Sequence, residues 1–197
     1  MKRSLKAICS VLFALVASVV LASCSLFASE EGDVRDMVDN TLKIFKFAEN
    51  SDAASFADQS TLETLSAYGV DANEFMGHCF KNLEWEFGEI TLSGDTGTVV
   101  VTITNVNIAV ALEKAGEQFA ASAETDEARE LFNTEGEQAL IKKLFSFFYE
   151  VIDSGELDTT TTEVTLQVYK NDEGEWDIKT DNDAFYQALY GGANFKI

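Results

Sequence analysis

Proline is absent from this chain. No hinge, stiff polyproline linker or slow isomerisation step can therefore come from proline. Histidine occurs once, as His78. There is no His-Glu pair at zinc spacing, and no Ser-His-Asp set that a single, apolar-flanked imidazole would complete. Basic residues are scarce: 14 Lys+Arg stand against 34 Asp+Glu, a net charge of −20. Nucleic-acid binding needs a basic footprint and is excluded on that ground. Also missing are a Gly-rich phosphate loop and a calcium loop of the Asp-x-Asp-x-Asp-Gly type. The oxygen-rich Asp172-Glu173 and Asp181-Asn182-Asp183 stand where turns and helix caps want acidic residues anyway. No cofactor and no metal is expected.

What the chain does have is one strongly apolar run, at its N-terminus. Lys2, Arg3 and Lys6 precede an apolar stretch from Ala7 to Ala22, which ends in Leu21-Ala22-Ser23-Cys24. A basic end, a short apolar core and small residues at the break are the marks of an export signal. The Leu-Ala-Ser-Cys ending resembles a bacterial lipobox. That resemblance implies removal of residues 1–23 as a signal peptide and a diacylglyceryl group on Cys24. Two acyl chains, at about 0.8 kcal/mol per buried methylene, anchor a protein durably where one does not. Two plainer readings compete: an ordinary secretory signal, and an uncleaved membrane helix over 7–27. The small, weakly apolar ending argues against the helix. The expected location is extracytoplasmic, on the bacterial cell membrane. Ser25 lacks the aspartate that would argue for inner-membrane retention in a two-membrane cell.

The same reading reshapes charge and cysteine usage. Loss of Lys2, Arg3 and Lys6 leaves 11 basic against 34 acidic residues, a net −23 for the mature part. Such a field repels anionic headgroups and favours solubility. Of three cysteines, Cys9 leaves with the signal, Cys24 carries lipid and Cys79 remains alone, so the mature chain has no intramolecular disulfide. Phe75, Met76 and Phe80 surround Cys79 at helical spacing, which predicts a buried, inert thiol. His78, beside that face, is expected to have a surface or packing role.

Residues 24–32 form a short tether, spanning at most roughly 25–30 Å. Residues 33–197 then make one domain, with no repeat, low-complexity tract or second boundary. Val34, Met37, Val38, Leu42, Phe45 and Ala48 predict an amphipathic helix. Asn50-Ser51-Asp52 ends it and caps a short second one. Ser60 with Glu63, and Asp71 with Glu74, read as capping boxes, with Gly69 as a stop between. The period then switches to two. Leu83, Trp85 and Phe87 alternate with Glu84 and Glu86, but beyond Gly88 the apolar positions become Ile90 and Leu92. That change of parity predicts a β-bulge at Gly88-Glu89. Val99, Val101 and Ile103 give the partner strand. Ile108, Ala111, Leu112, Ala115 and Phe119 predict a helix. A polar break over 122–133 and a Thr134/Glu137 cap lead to another, rich in phenylalanine, over 140–152. A second hairpin follows, with Val164, Leu166 and Val168 on one strand and Trp176 and Ile178 on the other. A last helix is capped by Asp181 or Asn182 and stopped at Gly191-Gly192.

The fold class is thus α+β: N-terminal helices packed on a curved antiparallel sheet of about four strands, with a helical insertion between two hairpins. This order, with its lysine-turn-Gly-x-Trp-x-Ile ending at 170–178, looks like the NTF2-like (cystatin-like) fold and is similar to small bacterial lipoproteins that carry it. The resemblance implies a conical pocket between sheet and helices. Trp85, Phe87, Leu144, Phe145 and Phe148 are the candidate lining residues, although such a stripe is usually core. Three function classes follow. The first is a binding module that holds an apolar small molecule or peptide in the cone, and the second an interaction module for an envelope protein. The third, a dehydratase- or isomerase-type enzyme, lacks any legible catalytic constellation.

Overall fold

The computed structural model describes residues 30–193 apart from 58 and 180; the leader 1–23, Cys24 and residues 25–29 lie outside the described residues. Helix α1 covers 30–46 and buries Val34, Val38, Leu42 and Phe45. It is already formed at Glu30, so residues 30–32, expected as the end of a tether, belong to the helix. Glu30, Glu31 and Asp33 suit a helix N-terminus electrostatically, and Lys170 holds Glu30 in an ion pair at 2.8 Å. Two 3₁₀ turns follow, Ala48–Asn50 and Ala53–Phe56; Asp52 precedes the second without a side-chain capping bond.

Helix α2, Gln59–Ala67, includes Ser60, so the expected cap there is not formed. Glu63 accepts instead from the Gln59 side chain at 3.0 Å. Gly69, at φ +68°, ends the helix as expected. Its N–H donates to the Ser66 carbonyl, and that of Val70 to the Leu65 carbonyl, each at 2.9 Å, a Schellman ending. Helix α3, Ala72–Phe80, starts on the Asp71 cap, whose carboxylate accepts from the Glu74 N–H.

Strands β1 (Glu84–Ser93), β2 (Thr96–Val106), β3 (Thr159–Lys170) and β4 (Trp176–Ile178) form one antiparallel sheet in the order β1-β2-β3-β4. The register between β1 and β2 slips between Phe87 and Ile90, at the expected bulge. One extra residue there keeps the apolar positions on one face: Phe87 opposes Val101, and Ile90 opposes Val99. Strand β3 continues that face, with Val164, Leu166 and Val168 buried.

Between β2 and β3 run helices α4 (Ile108–Ala123), α5 (Asp126–Glu135) and α6 (Glu137–Asp153). The expected polar break is therefore mostly a helix. Thr134 lies inside α5, its hydroxyl donating back to the Glu130 carbonyl at 2.8 Å, and Gly136 rather than Thr134 precedes α6. A mostly exposed, polar helix leaves little apolar periodicity to read. The small Ala111 and Ala115 of α4 are fully buried, and α4 packs against α6.

Helix α7, Asp183–Leu189, is capped by Asn182 and closes the core with Phe185 and Leu189. Its end is held to β2 by Asn105, which has no exposed surface. The Asn105 side-chain amide donates to the carbonyls of Cys79 at 3.0 Å and Leu189 at 2.6 Å, and its oxygen accepts from the Val106 N–H. One side chain thus satisfies carbonyls that two helix C-termini leave open. The chain approaches so closely here that a Cβ on Gly191, at φ +62°, would stand 2.0 Å from the Val106 carbonyl oxygen.

Candidate functional site

The five residues expected to line one pocket lie in two places. Phe148 is wholly buried, and Leu144 and Phe145 pack against the core from α6. Phe75 of α3 stacks on Phe148 at 5.6 Å and meets Phe145 edge-on at 5.8 Å. Phe45 meets Phe80 and Phe185 edge-on, and all three are nearly unexposed. Side chains of this size, stacked and edge-to-face, pack ring against ring in both groups.

The same α3–α6 seam holds the only histidine. His78 stacks flat on Tyr149, ring centroids 4.0 Å apart, and its Nδ1 lies 3.0 Å from an Asp153 carboxylate oxygen. Lys81 pairs with that same oxygen. Burial pushes the Asp153 carboxyl up, but hydrogen bonds from Lys81 and His78 outweigh it and hold the group below the ordinary carboxylate range. Among the described residues, the Tyr149 hydroxyl is enclosed without a hydrogen-bond partner. Burial, with the nearby carboxylates of Glu74 and Asp71, raises its pKa well above that of a free phenol. Cys79 is buried and unpaired, and burial alone raises its pKa. Burial thus favours the neutral forms of the Tyr149 phenol and the Cys79 thiol, while Asp153 is held as a carboxylate at the rim of the same seam.

Trp85 and Phe87 instead face α1, which runs antiparallel to β1. Arg35 lies over the Phe87 ring at 4.6 Å, and Lys46 over Trp85 at 5.8 Å. The Trp85 indole N–H donates to Asp39 at 2.9 Å, fixing the ring. Asp39 also pairs with Lys43 at 2.5 Å. That hydrogen bond is the main reason its pKa is lowered; burial opposes the shift and the Trp85 bond adds to it.

Two open grooves flank this seam. One, of about 560 Å³, runs over the uncovered sheet face, with Glu84, Glu86, Thr102, Thr104 and Thr161 along it and Lys46 at its rim. The other, of about 570 Å³, lies on the helix side between Phe87, Arg35, Asp36 and Asp39. Trp85 and Glu86 line both. Arg35, Asp39, Lys43 and Lys46 escaped the sequence reading as site residues. Their spacing of four, four and three marks one polar stripe of α1, but not that this stripe meets β1. Among the described residues, no group of three or more His, Cys, Asp or Glu is placed to hold a metal ion. Likewise, no helix there is long and apolar enough to cross a membrane.

No protein-family model matches the chain, and no curated protein matches it. Among solved structures the fold is similar to that of YcdA, a candidate lipoprotein of Bacillus subtilis. The TM-score is 0.53 at 15% sequence identity, covering 81% of this chain. The chain spans 55% of the length of that protein. At this identity the likeness speaks for the fold alone.

Proposed function

We propose that this chain is a bacterial envelope lipoprotein, anchored through a lipid on Cys24, whose domain is a non-catalytic binding or protein-interaction module. The observation that carries the anchor is Leu21-Ala22-Ser23-Cys24 closing a basic-then-apolar leader, with a helix already formed six residues later at Glu30. So short a spacer, roughly 20 Å when fully extended, keeps the domain at the membrane face. The likeness in fold to a candidate lipoprotein, YcdA, supports the same assignment. Helices before the sheet and a helical insertion between hairpins support an NTF2-like reading in which the cone is filled by phenylalanine.

The binding role rests on the α1–β1 seam, where half-buried aromatic rings and exposed charges border two open grooves. An apolar small molecule in the cone would have to displace packed rings, so a protein partner at the seam is the better reading. The test is expression of the full chain and its Cys24→Ala variant in a bacterium fed an alkynyl fatty acid. The natural chain is expected in the membrane fraction and labelled, and the variant unlabelled and released from it. An unlabelled natural chain, or a variant still labelled, would overturn the anchor.

A further inference from the structure

Among the described residues, the outer edge of β1 is open. The sheet order places β1 at one end, so its second side pairs with no strand. Among the described residues, no backbone group of Glu84–Phe87 is hydrogen-bonded outside the β1–β2 ladder. An uncovered strand edge is a template for another strand, and here a groove lies on each side of it. From this geometry we infer that β1 accepts an extended segment of a basic partner protein, which adds as a fifth strand along Glu84–Phe87. This deepens the interaction-module reading above and rests on it.

Side-chain alternation gives the partner its chemistry. A strand laid on β1 sends alternate residues to opposite faces. On the uncovered face they come beside Glu84 and Glu86, both exposed, where lysine or arginine makes the favourable cross-strand pair. On the other face they come beside Trp85 and Phe87, where a β-branched residue packs on the rings. The matching segment therefore alternates basic with β-branched residues for about four positions, until the bulge between Phe87 and Ile90 breaks the register. Main-chain bonds supply affinity, and the two grooves supply selection.

Charge also rules out the nearest competitor, a second copy of this chain. Two β1 edges pairing with each other would set glutamates against glutamates, and like charges directly opposite are destabilising. With 34 acidic residues in the chain, self-repulsion adds to that. The same glutamates that guard the edge against its own kind complement a basic strand.

The test uses the natural full-length protein purified from membranes in detergent, and the Cys24→Ala variant purified from whichever fraction holds it, so that a failure of anchoring and a failure of strand addition are read separately. The probe is an eight-residue peptide alternating lysine and valine. Its controls are a block-scrambled peptide of equal charge and a version N-methylated on the amides along one edge. Alternate N–H groups of Glu84–Phe87 already donate into the β1–β2 ladder, so binding is expected to slow amide hydrogen exchange by about tenfold or more at the two that face the outer edge. The variant Glu86→Lys, at an exposed site, is expected to keep its fold by circular dichroism and to weaken binding by about tenfold. The inference fails if the alternating peptide does not bind. It fails equally if the scrambled or N-methylated peptide binds as well, or if binding leaves the β1 amides unprotected.

Discussion

The α3–α6 seam and the α1–β1 seam are built from similar parts and do opposite things. Each combines aromatic rings with an acid that pairs with lysine. Along α3–α6, Phe75, Phe145, Phe148 and Tyr149 come from two helices, and rings on facing helices close on one another. Along α1–β1, Trp85 and Phe87 sit at the edge of a sheet, where no further strand covers them, and meet mainly the stems and charges of Arg35 and Lys46. Aromatic content alone therefore does not make a pocket. A ring with a partner on every side is core, and a ring at a sheet edge stays available.

Four changes test that contrast. The largest effect belongs to Phe148→Ala, which empties a fully buried position and should cost about 3–5 kcal/mol in chemical denaturation. A loss below about 1 kcal/mol would mean that the α3–α6 seam is loose and its rings are free to line a cavity. Next, Tyr149→Phe removes an enclosed hydroxyl without a partner. It should leave stability unchanged or raise it by up to about 1 kcal/mol, where deleting a paired hydroxyl would lower it. A clear loss would show that the phenol has a partner at work in that seam.

Trp85→Phe, on the open side, keeps a ring but loses the bond to Asp39. The expected cost is about 0.5–1.5 kcal/mol, with a change in the intrinsic fluorescence, since only Trp176 then remains. The smallest effect is one of pH. The folded-state pKa of Asp153 is depressed. Its stabilisation is thus present above the unfolded value of about 3.9 and is lost as pH falls through the folded value. Its side chain is 44% exposed, so screening limits the contribution to less than about 1 kcal/mol. Denaturation of Asp153→Asn beside the natural chain should show a gap near neutral pH that narrows at acidic pH. A gap that widens in acid would reverse the assignment of His78 and Lys81 as its stabilising partners.

Local patterns were legible wherever a single element carried them. The bulge was written in the parity change from Phe87 to Ile90 and the Asp71 cap in residue type alone, whereas residue type left Asp181 and Asn182 open and the structure places the cap at Asn182. Helix α5 was missed because an exposed helix has little apolar periodicity, and the Ser60 cap because Gln59 already lies within α2 and engages Glu63. The candidate site was only half visible. Trp85 and Phe87 were singled out, but they were grouped with Phe145 and Phe148 because all four are large, apolar and inward by period.

By itself, the sequence determined the basic-then-apolar character of its N-terminal run, the acidic balance, the α+β order and the face that each strand buries. These depend on composition and on periods of two and 3.6 residues, which are local. Tertiary structure alone decided which aromatic rings are closed over and which border open space. It also decided that Arg35, Asp39 and Lys46 of α1 meet the edge of β1, and that Asn105 ties two helix ends to β2. Each of these joins residues far apart in the chain, and the pairing follows from how the helices pack on the sheet, which no local period encodes.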